Sequence, residues 1–241
     1  MRTEVHARLY ELGSRVLLAA LRVPLLPSAL TRFAKIWLRH ARTARHLAAG
    51  GYDSIVDGGA SIGEFAALAR WACPGAKLLC VEPHPASAAR LRRRGFSVVE
   101  AALWRAPGTA TLTQPTDAVT SSSLLASPAP GRGAWSVTTV RLDQLEIEGS
   151  RVLVKLDLQG AELEALEGMG ELWARCSGLL LEVSYGERGT YEPLRALLAR
   201  RGFFEAATLN ELEVDGAVVE ADKLWLRRRG DPGRSRADGK P

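Results

Sequence analysis

The sequence predicts an α/β fold built on a mostly parallel sheet with both faces covered. Short, near-continuous apolar runs such as 77–81 and 152–157 are the length of buried strands. Each run ends in a glycine, proline or acidic turn, and the chain then resumes with apolar residues at helical spacing. The strand–turn–helix unit recurs along the chain, the order expected of a sheet packed between helix layers.

The chain has 241 residues, 46% hydrophobic and 24% charged, enough for one sizeable core with a small appendage. Residues 1–50 form a leader predicted to be helical and broken at Pro24 and Pro27. Arg15, Arg22 and the two prolines interrupt its apolar runs, so it holds no 20-residue apolar span and no transmembrane helix is expected. Glu4 and Glu11 argue against a secretory signal. The leader is expected to pack on the domain or cap a substrate pocket, with peripheral contact to an anionic membrane as the alternative.

From residue 52 the elements follow in order. Ser54-Ile55-Val56 is a strand ending at Asp57-Gly58-Gly59, and Ile62, Phe65, Ala66 and Ala69 mark the helix after it. A second strand over 77–81 ends at Glu82, and a helix opens at Pro85 and stops at Gly95. Strands follow at 97–102, 152–157 and 179–183. One helix carries Leu163, Leu166 and Met169, and another runs over 192–201 to Gly202. The end breaks this alternation: 203–208 is a strand, Asp215-Gly216 marks a hairpin turn, and 223–228 is a closing antiparallel strand. Residues 103–150 read as a β-hairpin insertion, with strands at 109–113 and 135–142 around a Ser/Pro/Gly-rich loop. That insertion can fold over the sheet's carboxyl edge, where ligands of open α/β sheets bind.

Charge and cysteine usage exclude several classes. Lys and Arg outnumber Asp and Glu nine to two over 1–50 and six to two over 227–241, which leaves −6 for 51–226 out of +5 overall. A body without a basic stripe predicts no nucleic-acid partner, and 229–241 reads as a basic, solvated tail. Cys73, Cys80 and Cys176 form no C-x-x-C pair, so a reducing, cytoplasmic setting is the simplest expectation. The four histidines are too far apart in the sequence to suggest a metal site.

The segment Asp57-Gly58-Gly59-Ala60-Ser61-Ile62-Gly63 carries the most chemistry. Its glycines let backbone approach a ligand, and the N–H groups of the next helix favour an anionic group. Glu82 lies 25 residues after Asp57 at a strand end, where a carboxylate can accept hydrogen bonds from two ribose hydroxyls. A nicotinamide dinucleotide site wants glycine at the middle position of its fingerprint, and this chain has Ala60 there. An acid before the glycine turn suits a cofactor with an amino acid tail, because Asp57 can help hold an ammonium while N–H groups take the carboxylate. S-adenosyl-L-methionine has that tail.

Five blocks carry a resemblance to a known family: 57–65, Val81-Glu82-Pro83-His84-Pro85, 139–143, Lys155-Leu156-Asp157-Leu158-Gln159-Gly160-Ala161-Glu162, and Leu181-Glu182-Val183. In this order they resemble the FkbM-type S-adenosylmethionine-dependent methyltransferases over roughly residues 50–210. The resemblance implies a class I methyltransferase (Rossmann-like) fold: a mostly parallel seven-stranded sheet with an antiparallel last strand, and a methyltransferase domain over 51–228. It also implies O-methylation of a sugar, glycolipid or natural-product hydroxyl. Carried over by position, it places the first block, Glu82, Pro83 and His84 at the cofactor, with Ala101 and Ala102 near the adenine. In the fourth block this chain has Gln159 where the family pattern has glutamate, so binding without turnover stands as an alternative to catalysis.

Methyl transfer needs an acceptor oxygen held in line with the S–CH₃ bond and relieved of its proton. Asp157 is the first choice for base or acceptor-orienting group. Lys155 can lower an alkoxide's energy or simply pair with Asp157. Glu182 can bind acceptor hydroxyls or cap the next turn, and His84 reads as packing more than as a base. Asp143 and the serine run 121–123 are secondary candidates. The expected partner is a small-molecule or glycan acceptor. A nicotinamide-dependent oxidoreductase and a silent adenosine-binding module are the rival readings.

Overall fold

The protein's structure, a computed structural model, describes residues 41–113, 123–125, 133–187 and 189–227. In chain order these give β1 (Ser54–Gly58), α1 (Glu64–Ala72), β2 (Lys77–Val81), α2 (Pro85–Arg93), β3 (Ser97–Val99), β4 (Ala102–Leu103), β5 (Gly108–Thr113) and β6 (Ala134–Val140). They continue with β7 (Val152–Leu156), α3 (Glu162–Glu167), α4 (Leu172–Arg175), β8 (Cys176–Ser184), α5 (Tyr191–Arg200), β9 (Phe203–Val214) and β10 (Ala217–Arg227). Residues 41–50 are helical, which agrees with the leader's predicted helix where it is described. The rest of the leader, most of the Ser/Pro/Gly-rich loop and the basic tail lie outside the described residues.

Seven strands form one sheet in the order β3-β2-β1-β7-β8-β10-β9. β1 pairs in parallel with β2 and β7, and β7 with β8, while β10 is antiparallel to both β8 and β9. The last strand therefore slots between its two predecessors. This is the class I methyltransferase arrangement expected from the sequence. The order reverses between β1 and β7, and the crevice at such a reversal is where open α/β sheets bind ligands.

The period-2 alternation of β7 divides its side chains between two cores. Val152, Val154 and Leu156 join a cluster with Leu166, Met169, Leu172 and Trp225 on the α3–α5 side. Leu153 faces the other way, packing with Ala69 and Ala72 of α1 and with Ala44 and Leu47 of the helical stretch 41–50. Lys155 follows Leu153 by two and so emerges on the α1 side, where the register sets it beside Asp57 of β1. Leu153 is fully covered, which is why an apolar run with one lysine near its end folds as the central strand.

Four expectations change in detail. The strand expected over 97–102 is two: β3 stops at Val99, and β4 crosses to a second sheet of order β4-β6-β5. The cause is that Ala101, Ala102 and Leu103 are buried, whereas Glu100 between the two strands faces solvent and pairs with Arg92. The insertion is accordingly a three-stranded sheet rather than a bare hairpin. Helix α3 ends at Glu167, so Met169 reaches the core from a turn. The closing hairpin is longer than expected because Asp215 (φ 52°) and Gly216 (φ 80°) form a tight turn that lets β9 and β10 pair up to Val214 and Ala217.

Among the described residues, no helix is long and apolar enough to cross a membrane. The three cysteines are free thiols.

Candidate active site

A cavity of about 450 Å³ opens at the carboxyl edge of the sheet, over the β1/β7 reversal. Gly59, Ala60, Ser61, Ile62, Glu82, Pro83, Ala101 and Ala102 line one half, as the sequence predicts. The β1–α1 turn is held from below, with the N–H groups of Gly59 and Ala60 donating to the Val81 carbonyl at 3.0 and 3.3 Å. Glu82 ties the turn to the end of β2: Oε2 accepts from the Ser61 N–H at 2.7 Å and Oε1 from the His84 N–H at 2.9 Å. Burial pushes the Glu82 carboxyl above its ordinary value, and these two N–H donors oppose the push. Beside it the Ser61 hydroxyl is buried and has no hydrogen-bond partner among the described residues. A carboxylate with lone pairs to spare and an unpaired hydroxyl fit the polar end of an adenosyl amino acid.

Several predicted cofactor residues make close packing contacts within the protein. A Cβ at Gly58 would meet Leu103 and Leu156 at 2.7 and 2.8 Å, and one at Gly63 would meet Leu91 at 2.6 Å. These two glycines are required by packing, and neither lines the cavity. At Gly59 (φ +70°) a Cβ would lie 2.0 Å from the Asp157 carbonyl, so this glycine brings the β1 turn against the end of β7. The predicted close backbone approach is real here, but its partner is protein backbone.

Asp57 is fully buried beneath the turn, its Oδ1 3.1 Å from Lys155 Nζ, and does not line the cavity. His84 also stands off the cavity: its ring packs edge-on against Trp135 at 4.7 Å, and burial lowers its pKa. It contributes its backbone N–H.

Lys155 leans toward the glycine turn. Besides Asp57, Nζ donates to the carbonyls of Gly58 and Gly59 at 3.2 and 3.1 Å, and Asp157 Oδ2 is farther away at 3.6 Å. Burial works against the ammonium, but Asp57 and Asp157 outweigh it and raise the pKa above the usual lysine value. Burial likewise pushes the Asp57 carboxyl up, and the neighbouring Lys155 ammonium opposes that push. Lys155 also lines the cavity while its ammonium holds the turn.

The other half of the cavity is acidic. Asp157 stands with its side chain 39% exposed. Gln159, in a left-handed conformation (φ 55°), donates from Nε2 to Asp157 Oδ1 at 3.1 Å and to Glu182 Oε2 at 3.0 Å. The turn beneath is stitched by Glu162, whose Oε1 accepts from the N–H groups of Leu158 and Gly160 at 2.7 and 3.3 Å. Burial pushes Glu162 up to about 7. Glu182 is pushed up to about 9, by burial first and then by Asp157, Glu162 and Asp222. Asp157, Gln159 and Glu182 all line the cavity.

Sequence reasoning missed the polar lining residues Thr43, Asn210 and Asp222. Asp222 of β10 sits opposite Glu182 of β8 and also opposite Asn210 of β9, whose side-chain amide donates to it. The carboxyl edge thus presents a row of oxygen acceptors across three strands. Among the described residues, no group of three His, Cys, Asp or Glu is arranged to hold a metal ion.

The methyltransferase FkbM domain matches residues 57–204. No curated protein matches the chain. Solved structures similar to it include a Thermoplasma acidophilum protein, at 12% identity over 79% of this chain and 90% of that one (TM-score 0.46). A precorrin-6y C5,15-methyltransferase from Geobacter metallireducens is similar at 14% identity over 77% and 87% (TM-score 0.44). An rRNA methylase from Streptococcus thermophilus is similar at 12% identity over 78% and 95% (TM-score 0.45).

Proposed function

We propose that this chain, which belongs to the FkbM methyltransferase family and so uses S-adenosyl-L-methionine, methylates a hydroxyl of a polyhydroxylated small molecule or glycan. With the family in place, a nicotinamide dinucleotide is no longer the expected cofactor. One observation carries the acceptor class: the cavity that joins the Gly59–Glu82 half to Asp157 continues into Glu182, Asp222 and Asn210. A wall rich in hydrogen-bond acceptors suits a ligand that brings several O–H donors.

Bound S-adenosyl-L-methionine supplies an activated methyl group on a sulfonium. The Gly59–Ile62 turn and Glu82 would hold it, and the unpaired Ser61 hydroxyl gains a partner there. Asp157 is the proton acceptor: it reaches the cavity, and Gln159 fixes one of its oxygens, leaving the other to receive the acceptor's hydroxyl proton. Glu182 carries its own proton near neutrality and orients a second hydroxyl. Thr43 lines the cavity from the helical stretch 41–50, which supports the leader (1–50) as part of the acceptor pocket.

Thermal denaturation tests the cofactor half. At 100 times its dissociation constant S-adenosylhomocysteine adds about 2.7 kcal/mol, which is a rise of roughly 5–11 °C for a chain of this size, while NAD(H) should add nothing. Incubation with methyl-labelled donor and a panel of polyols and glycans tests the rest. Label is expected in an ether methyl, and Asp157→Asn should lower the rate about 100-fold or more while keeping the S-adenosylhomocysteine shift. Label on nitrogen or carbon would overturn the hydroxyl assignment. Binding with no transfer to any acceptor would favour the silent reading that Gln159 raises.

A further inference from the structure

The side chain of Gln159 reaches two carboxylates, Asp157 Oδ1 at 3.1 Å and Glu182 Oε2 at 3.0 Å, from the same amide nitrogen. The Asp157 carboxylate only accepts, so the amide nitrogen rather than the oxygen faces it, and the same NH₂ group has a second hydrogen for Glu182 Oε2. The residue is fixed at its other end as well. Its carbonyl accepts from Ser123 Oγ at 3.1 Å, and Ser123 is buried and bridges Thr113 of β5 in both backbone directions. The insertion sheet is thereby latched to the turn that carries the acids.

The surroundings explain why a neutral donor belongs at this position. Glu182 feels the charges of Asp157, of Glu162 from α3 and of Asp222 and Glu220 from β10. Lys155 of β7 lies 3.6 Å from Asp157 but is committed to Asp57 of β1 and to the carbonyls of Gly58 and Gly59. A third carboxylate at position 159 would find two acids where the amide finds two acceptors.

We propose that Gln159 is a positioning residue, a neutral double donor that ties Asp157 to Glu182 and fixes which oxygen of Asp157 faces the acceptor. On this view the glutamine is a built part of the acid pair and not a lost acid. The catalytic half of the statement rests on the hydroxyl-methylation reading above; the bridge itself does not.

The test uses the full chain, with Gln159→Glu and the swapped double variant Gln159→Glu/Glu182→Gln. A new carboxyl among acids has a folded-state pKa above its unfolded value, so its destabilisation is absent at low pH and grows as pH rises through the raised value. Gln159→Glu should melt close to the parent at about pH 5 and fall behind it by about 4 °C or more at about pH 8.5. The swap restores one amide and one acid across the pair and should close most of that gap. Methyl transfer by Gln159→Glu should also show its acid limb displaced by about one pH unit upward. A Gln159→Glu variant whose melting follows the parent at every pH, or a swap that recovers nothing, overturns the bridge. If the parent binds S-adenosylhomocysteine yet methylates no hydroxyl, the functional reading fails while the melting comparison still decides the bridge.

Discussion

Replacing Lys155 by methionine separates the two roles that a lysine in this strand can have. The substitution keeps an unbranched chain only one atom shorter and removes the ammonium that lies 3.1 Å from Asp57 Oδ1 and donates to the Gly58 and Gly59 carbonyls. Asp57 is fully buried, so its charge has no access to water once the lysine is gone. Breaking a buried pair by deleting one partner costs about 3–5 kcal/mol, because the other is left uncompensated. At roughly 2–4 °C per kcal/mol for a chain of this length, the variant should melt about 6–20 °C below the parent. Most of that loss belongs to the orphaned acid, so Asp57→Asn/Lys155→Met should be more stable than Lys155→Met alone. Lowering the pH should narrow the deficit too: unpaired Asp57 has a folded pKa above its unfolded one, so the destabilisation grows as pH rises and fades as pH falls. Scanning calorimetry at about pH 5 and about pH 8 reads all three. A lysine poised instead for the acceptor would leave stability untouched, so a single variant within about 2 °C of the parent, or a double variant no better than the single, refutes the buried-pair argument.

Three further outcomes follow from the same geometry. Gly59→Ala should lose at least about 2 kcal/mol and S-adenosylhomocysteine binding with it, since its Cβ would sit 2.0 Å from the Asp157 carbonyl; Gly75→Ala, with nothing within 4 Å, is the matched control. Glu82→Gln should weaken S-adenosylhomocysteine binding about 10- to 100-fold by calorimetry, because an amide must turn its NH₂ toward one of the two backbone donors, Ser61 and His84, that the carboxylate now satisfies. The parent's melting temperature should decline from about pH 5 to about pH 9: Glu162, raised to about 7, and Glu182, raised to about 9, hold protons in the folded state that the unfolded chain has released. A flat or rising profile over that range would show that these two acids are not held as the structure has them.

What the sequence reveals of this site follows from how its contacts are made. Residues 57–63 and Glu82 are legible because a turn between a strand and a helix fixes its own geometry locally, and the strand-end acid follows from the same unit. The roles within that turn are less legible. Gly58, Gly59 and Gly63 look alike as glycines, and only the approach of Leu103, Asp157 and Leu91 shows what each one accommodates. Lys155 and Asp157 are two apart and invite pairing, yet the β1–β7 register sets Lys155 beside Asp57, ninety-eight positions away along the chain, and the closer contact wins.

Asn210 and Asp222 were hidden for a topological reason. Because β10 runs antiparallel between β8 and β9, the early residues of β10 and the late residues of β9 reach the edge where the parallel strands end. Polar residues at those two places would mark the far wall of the cavity once the closing hairpin is recognised, and the Asp215-Gly216 turn is the signal for it. The row of acids then has a consequence for specificity. Glu182 is half of a bridged pair, whereas Asp222 takes the Asn210 amide, and Asp222 and Asn210 line the end of the cavity away from Glu82. An acceptor that reaches Asp157 with one hydroxyl meets that polar wall with the rest of its surface, so a molecule with a second hydroxyl at the right spacing can hydrogen-bond there where a monohydroxylated one cannot. Asp222→Asn should therefore raise KM for a polyol acceptor far more than it lowers kcat, and equal loss in both would place Asp222 in the proton-transfer step instead.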